Sequence, residues 1–347
     1  MISSKMNLLK KAYYTAVTRF DLGLLQNKSP IPFIIPYHHL VSDEPLPYIK
    51  TLYDFKNSGQ FEADLDFLLR HFEPVSLTGL ISEAQGERTS GKKKFLVTFD
   101  DGLRQAYEIA APILLRKGIP AALFINPGFV DNREIFYDLK KGLILDKLSG
   151  PRPGLPELSR FEAIFGEKIA DPLRLREKIR KINYLNKELT DAIGKLLELD
   201  FDEFAKIRKP FITTAEIWDL IGKGFQIGAH SMDHPLYALL PEKEQVRQTL
   251  ESVNWVVTHF RLGYKAFAFP HSDRGVKNSF FEKMTGGPHP ELDLILGNSR
   301  GMLERHPRVY HRFIGENPKT TIEKPVKAIL AYGAIRSMTR RAFVKRD

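Results

Sequence analysis

The sequence predicts an α/β protein whose parallel strands close into a barrel, and three observations carry that expectation. About eight short apolar runs recur along the chain, most of them followed by a stretch of helical periodicity. The run Phe95-Leu-Val-Thr-Phe99 ends directly in Asp100-Asp101-Gly102. The run over 224–229 ends in His230-Ser-Met-Asp-His234. In alternating strand–helix barrels the chemistry gathers at the C-terminal strand ends, where these polar clusters fall.

With 347 residues, 43% hydrophobic and 27% charged, the chain can bury a large core and has an ordinary globular composition. It has no cysteine. Disulfides, thiolate metal sites and a cysteine nucleophile are therefore excluded, and a transition-metal site must draw on His, Asp and Glu. The organisation expected is an N-terminal helical extension over 1–30, a barrel over 31–316 with a helical insertion at 131–210, and a basic helical tail over 317–347.

In chain order, residues 1–26 carry Lys5, Lys10 and Lys11 before an Ala-Tyr-Tyr stretch, and Arg19 and Asp21 interrupt any apolar core. That reads as a helix and a poor signal peptide. No later stretch is long and apolar enough to span a bilayer. The expected location is the cytoplasm, with contact to the inner membrane face. Residues 31–40 form an apolar run that ends in His38 and His39. Phe61, Leu65, Leu68, Leu69 and Phe72 then give a helical period, and 74–77 reads as a short strand. The apolar run 95–99 suits a strand buried on both faces. Ala106, Ile109, Ala110, Ile113 and Leu114 share one helical face, and Gly118 stops that helix.

Residues 121–126 make the next strand. Residues 131–210 break the rhythm with Lys, Leu, Glu and Arg and a turn at Gly150-Pro-Arg-Pro-Gly154. They are expected to form helices that wall a cleft. Thr213-Thr-Ala-Glu216 is a capping box opening a helix to Lys223. A long helix over 242–261 and strands over 266–269, 292–296 and 309–314 complete the set.

Adjacent carboxylates point to opposite faces of a regular strand, but where a strand breaks into a loop both can turn to one cavity. Gly102 permits that break. Two carboxylates so close repel, so the pair calls for a metal, an arginine or a shared proton. Asp-Asp-Gly is also ordinary turn chemistry, and the stretch alone leaves the choice open. His230 and His234 are four residues apart, so one helical turn would bring both imidazoles to one ion. With one carboxylate they make a two-His, one-carboxylate set that leaves positions open for water and substrate.

These residues resemble the NodB-homology polysaccharide deacetylases (carbohydrate esterase family 4). Thr98-Phe99-Asp100-Asp101-Gly102 is similar to their first motif and His230-Ser-Met-Asp-His234-Pro235 to their second. Phe267-Ala-Phe-Pro-His271 looks like a divergent third, and Pro36-Tyr37-His38-His39 like the opening run. The resemblance covers roughly residues 31–316. It implies a distorted (β/α)7–8 barrel that removes N-acetyl groups from amino sugars of poly-, oligo- or lipid-linked saccharides with a divalent metal, usually zinc. By position, Asp101, His230 and His234 would be the metal ligands. Asp100 would take a proton from metal-bound water, and the backbone N–H of His271 would hold the oxyanion.

Two departures stand out. The family's third motif often carries an arginine that pairs with the base, followed by Pro-Tyr. Here Phe267 and Phe269 precede Pro270, and His271 stands in place of the tyrosine. The general acid is usually a histidine of the last motif. His311 and His38 are the two candidates, with a structural role as the competing reading for each. A deformylase or amidase on a small substrate, or a barrel that binds carbohydrate without turning it over, are the alternative functions.

The net charge is +10, and Lys319, Lys324, Lys327, Arg336, Arg340, Arg341, Lys345 and Arg346 against Glu323 and Asp347 supply more than half of it. Such a tail suits an anionic membrane surface. No basic-and-aromatic ladder that would stack bases accompanies it, so nucleic acid is not an expected partner.

Overall fold

Eight strand segments form one parallel sheet whose two edges belong to the same six-residue run. The segments are β1 (Pro36–His38), β2 (Val97–Phe99), β3 (Ala121–Ile125), β4 (Gln226–Ala229), β5 (Ala266–Ala268), β6 (Leu294–Gly297), β7 (Val309–His311) and β8 (Phe313–Ile314). Their order is β7-β6-β5-β4-β3-β2-β1-β8. Only Arg312 separates β7, which pairs with β6, from β8, which pairs with β1. The Arg312 N–H donates to the Gly297 carbonyl at 2.8 Å and that of Phe313 to Ile35 at 3.1 Å. The run thus joins both sides of the sheet, which nearly closes into a barrel. This computed structural model describes residue 13 and residues 16–86, 91–150, 156–339 and 341–347. Of the helix expected over 1–26, residues 1–12, 14 and 15 lie outside the described residues, as do 151–154 of the turn expected at 150–154.

The other long runs are also divided. Phe33–Ile34 and Lys94–Phe95 pair in a separate small sheet with Glu73–Pro74 before the chain enters β1 and β2. The strand expected over 74–77 is cut short because Ser76 caps a helix, Leu77–Ala84, by accepting the Gly79 N–H at 3.1 Å. Helix α1 (Ser58–His71) starts with a capping box between Asn57 and Gln60, and Thr213 and Glu216 make the expected one at Thr214–Gly222. The helix expected over 105–117 begins as a π-turn, Ala106–Ala110, then continues as Ala111–Lys117. Pro112 has no N–H to give to the preceding turn, which accounts for the irregularity. Gly118 ends it in the left-handed conformation, φ 63°.

Strand β3 is buried throughout. Its Ala122 and Phe124 face the barrel interior with Leu96, Ala266, Ala268, Leu294 and Leu296. Leu123 and Ile125 face the helices with Leu114, Ile217 and Leu220. Phe124 fills space that the small residues leave: a Cβ on Gly228 would stand 2.4 Å from its ring.

Between residues 137 and 208 the chain forms helices, α2 (Tyr137–Lys147) followed by Leu158–Phe165, Pro172–Lys181, Glu188–Leu196 and Phe201–Arg208. It has its own core of Ile144, Leu145, Phe161, Ile179 and Ile193. Helix α2 packs directly on Pro47–Lys50, where Gly142 lies so close to the Tyr48 carbonyl that a Cβ would be 2.0 Å from it. That contact brings α2 over the barrel mouth. The C-terminal helix α3 (Glu323–Met338) packs against Leu22–Lys28. Among the described residues no helix is long and apolar enough to cross a membrane.

Candidate metal centre and active-site cavity

The barrel mouth holds a cavity of about 450 Å³ whose lining includes His39, Asp100, Asp101, Asp138, His234 and His271. Four of the nine non-glycine residues with positive φ among the described residues are Asp101, Ser231, His234 and His271. Each such residue costs about 1–2 kcal/mol. Strain concentrated at one site is typical of side chains aimed for a purpose.

At the end of β2 the Asp100 N–H still continues the sheet, donating to the His38 carbonyl at 2.9 Å. Asp101 and Gly102 then turn left-handed, φ 68° and 65°. The break swings Asp101 to the side already faced by Asp100, so both carboxylates enter the cavity. Asp101 Oδ1 lies 3.0 Å from His234 Nε2 and 3.4 Å from His230 Nε2. It is buried and makes no hydrogen bond of acceptable geometry. One carboxylate oxygen and two imidazole nitrogens converging on one point form a donor set that fits a divalent transition-metal ion. Burial works against the Asp101 charge, but His234 and His39 hold the carboxyl well below the usual range. Burial likewise opposes the charged form of His234, yet Asp101 above all pushes its pKa up to about 9.

The two histidines do not sit on the helical turn that their spacing suggested. The segment 230–234 is a loop in which Ser231 and His234 are left-handed, φ 68° and 61°. Ser231 Oγ accepts the His234 N–H at 3.1 Å. Asn126, just past β3, donates from Nδ2 to the Ser231 carbonyl at 3.1 Å and to that of His230. Asn126 was not singled out from sequence; its signal is one polar residue closing an apolar run. The His230 ring is fixed by Nδ1 against the Ala268 carbonyl at 2.8 Å.

Asp100 receives a two-pronged pair from Arg312, with Nη1–Oδ1 at 2.6 Å and Nη2–Oδ2 at 2.9 Å. The guanidinium is fully buried and lies over the rings of Tyr37 and Phe124, 4.9 and 5.5 Å from their centroids. The arginine missing from the third motif is thus supplied by the kink that closes the barrel. The two carboxylates meet different answers to their repulsion: an arginine for Asp100, two imidazoles for Asp101.

The remaining histidines separate clearly. His271, left-handed at φ 54°, lines the cavity with Nε2 3.1 Å from the Tyr137 hydroxyl. Its carbonyl accepts from Asn298 Nδ2 at 3.0 Å. Burial, then His234, lowers its pKa to about 4. His38 is buried against Phe61 and Phe99, away from the cavity lining, with its pKa lowered to about 3 by burial and then Lys56. His311 is also outside that lining. Its ring lies between Asp273 and Glu304, 3.9 and 3.6 Å away, which Arg346 ties together at 2.9 and 2.5 Å. Neither acid candidate faces the metal-ligating group. His39, the neighbour passed over in the sequence, does line the cavity. Its Nδ1 is 2.7 Å from Glu316 Oε1, and its N–H donates to Glu316 Oε2 at 2.8 Å. Burial opposes its charge, but Glu316, Asp101 and Asp100 push its pKa up to about 10.

The parallel barrel is the fold of solved polysaccharide deacetylases, and this chain shares it. The deacetylase PplD of Streptococcus pyogenes, solved in complex with acetate, aligns with a TM-score of 0.55 and 12% identity over 87% of this chain and 99% of its own. IcaB from Ammonifex degensii aligns with a TM-score of 0.53 and 16% identity over 87% and 98%. BC0361, a polysaccharide deacetylase from Bacillus cereus, aligns with a TM-score of 0.50 and 14% identity over 86% and 68%. No protein-family model matches the sequence and no curated protein matches it.

Proposed function

We propose that this chain is a divalent-metal-dependent hydrolase, with zinc as its ion, that removes an N-acetyl group from an amino sugar of a poly-, oligo- or lipid-linked saccharide. The observation that carries this reading is the convergence of Asp101, His230 and His234 beside an arginine-paired Asp100, with Asp100, Asp101 and His234 lining one cavity. The acetate in the PplD structure is the product that such a reaction would release.

A cation held by Asp101, His230 and His234 would polarise the amide carbonyl and bring the pKa of a water to about 7. Asp100, oriented by Arg312, takes the proton of the attacking water. The His271 N–H would donate to the developing oxyanion, a role worth about 3–4 kcal/mol in other systems. His39, gripped through Nδ1 by Glu316, donates from Nε2 to the leaving amine. Its support is position: it lines the cavity with Asp100 and Asp101, whereas His38 and His311 do not.

Acetate release from N-acetylated amino-sugar oligomers and lipid-linked saccharides, with zinc or cobalt supplied, tests the activity. Metal-loaded protein that cleaves only formylated sugars, or none, would overturn it. His39→Gln should lower kcat about 10²–10⁴-fold, the usual share of a general acid. An acid must be protonated, so the wild-type rate should fall as pH rises through the His39 pKa, and the Gln variant should lack that fall. An unchanged kcat in this variant would remove His39 from the reaction.

The proposed place of work is an anionic membrane surface at the cytoplasmic face. The end of α3 and the residues after it expose Ile335 and Phe343, and Met338 is 86% exposed, beside Arg336, Arg341 and Lys345. Exposed apolar side chains interspersed in sequence with basic ones complement an anionic headgroup layer. At about 1 kcal/mol per basic residue, Arg336→Glu/Arg341→Glu/Lys345→Glu should weaken binding to phosphatidylserine vesicles at least about a hundredfold. Equal sedimentation of wild type and triple variant would count against this location.

A further inference from the structure

The side chains given a part in the reaction come from the barrel and its strand ends, but one carboxylate in the cavity comes from the insertion. Asp138 stands at the start of α2, next to Tyr137. One of its oxygens, Oδ1, is 2.6 Å from Lys141 Nζ. The other, Oδ2, is buried, makes no hydrogen bond, and lies 3.6 Å from both His234 Nδ1 and His271 Nε2. His234 Nδ1 is likewise buried without a hydrogen bond. A ring nitrogen from each of two separate strand-end loops therefore faces one inserted oxygen.

His230 shows what such a partner does. Its Nδ1 is satisfied by the Ala268 carbonyl, so its Nε2 points at Asp101. His234 has no backbone carbonyl in that place; its Nδ1 meets Asp138 instead. We propose that Asp138 is a positioning residue of the metal centre, accepting the Nδ1–H of His234 and so fixing the tautomer that offers Nε2 beside Asp101. The 3.6 Å separation is longer than a hydrogen bond, so the ring must move closer to Asp138 when Nε2 takes an ion. A carboxylate in this position orients the ring and raises its basicity more than a neutral carbonyl does. The insertion is then part of the metal centre, and the barrel alone would hold an incompletely supported His234.

The same three side chains, Asp138, His234 and His271, converge closely enough to suggest a second ion. Two observations disfavour it. Lys141 already holds the Asp138 carboxylate with a positive charge, and the Tyr137 hydroxyl already occupies His271 Nε2. A neutral imidazole also has one lone pair, and in the proposed tautomer that of His234 lies on Nε2, at the ion site beside Asp101.

The inference rests on the deacetylase reading only in placing a cation at Asp101, His230 and His234. Its test is the affinity for Zn²⁺ and Co²⁺, read by chelator competition on the full chain, with the Co²⁺ absorption spectrum as a report of ligand geometry. Asp138→Ala should weaken metal binding about 10–100-fold and shift the Co²⁺ bands. Asp138→Asn, whose carbonyl still accepts the Nδ1–H, should recover most of the spectrum and part of the affinity. That rescue separates positioning from a general loss of packing. Wild-type affinity and spectrum in Asp138→Ala would overturn the proposal while leaving the deacetylase reading intact. Two ions per wild-type chain, with one lost in Asp138→Ala, would replace it with a dinuclear centre. A wild-type chain that binds neither ion would overturn both.

Discussion

Replacing Asp101 by Asn, or His230 and His234 together by Ala, should abolish stoichiometric zinc and reduce acetate release at least about a thousandfold. The bound cation is asked for several kcal/mol of charge stabilisation, and each 1.36 kcal/mol or so is tenfold in rate. No neighbouring group can take over, because Asp100 is engaged by Arg312 and Asp138 by Lys141. Elemental analysis of wild type and variants checks the first half independently of any substrate. About one ion per chain, lost in the variants, is the expected result. Metal content unchanged by both variants would sink the assignment of this centre, whatever the activity assays gave.

Removing Arg312 should damage both the fold and the chemistry. Arg312→Met leaves the Asp100 carboxylate buried without its partner, and breaking a buried pair in this way costs about 3–5 kcal/mol. Arg312→Lys keeps a charge but loses the two-pronged geometry, and should fall between. The diagnostic variant is the double change Arg312→Met/Asp100→Asn. Without the lone charge much of the lost stability should return, while the rate stays down by the 10²–10⁴-fold or so that a general base contributes. Denaturant unfolding and acetate release read the two effects separately. If Arg312→Met unfolds at the wild-type denaturant concentration, the pair does not support the barrel as argued.

These two residues also explain how the chain departs from the motif pattern it resembles. Phe267 in β5 and Phe269 just after it could not supply a partner for Asp100, and the seam between β7 and β8 does so instead. At the seam the strand must change neighbours. Its middle residue points into the barrel, where a long side chain can reach Asp100 with both terminal nitrogens. The Tyr37 and Phe124 rings then cover the guanidinium from water.

The parts of the site that were legible in the sequence are those encoded locally. Asp100 and Asp101 end an apolar run, His230 and His234 end another, and both facts survive without any knowledge of packing. The helix starts at Thr213 and Asn57 are local in the same sense, since a cap bonds within its own first turn. The loop that carries His230 and His234 was only half legible. Four-residue spacing suits a helical turn, but Asn126 and Ser231 hold a left-handed loop that reaches the same juxtaposition.

What the sequence determined alone was therefore the strand–helix alternation, the closed α/β class and the two clusters at strand ends, because hydrophobic period and capping act over a few residues. What only the tertiary structure decided was the company those clusters keep. Arg312 lies 212 residues from Asp100, Glu316 lies 277 from His39, and Asp138 arrives on an inserted helix. Which of the neighbouring histidines faces the cavity, His38 or His39, was settled by alternation along β1 and its end. Charges in a dry cavity act through space, so their partners are chosen by barrel closure and not by distance along the chain.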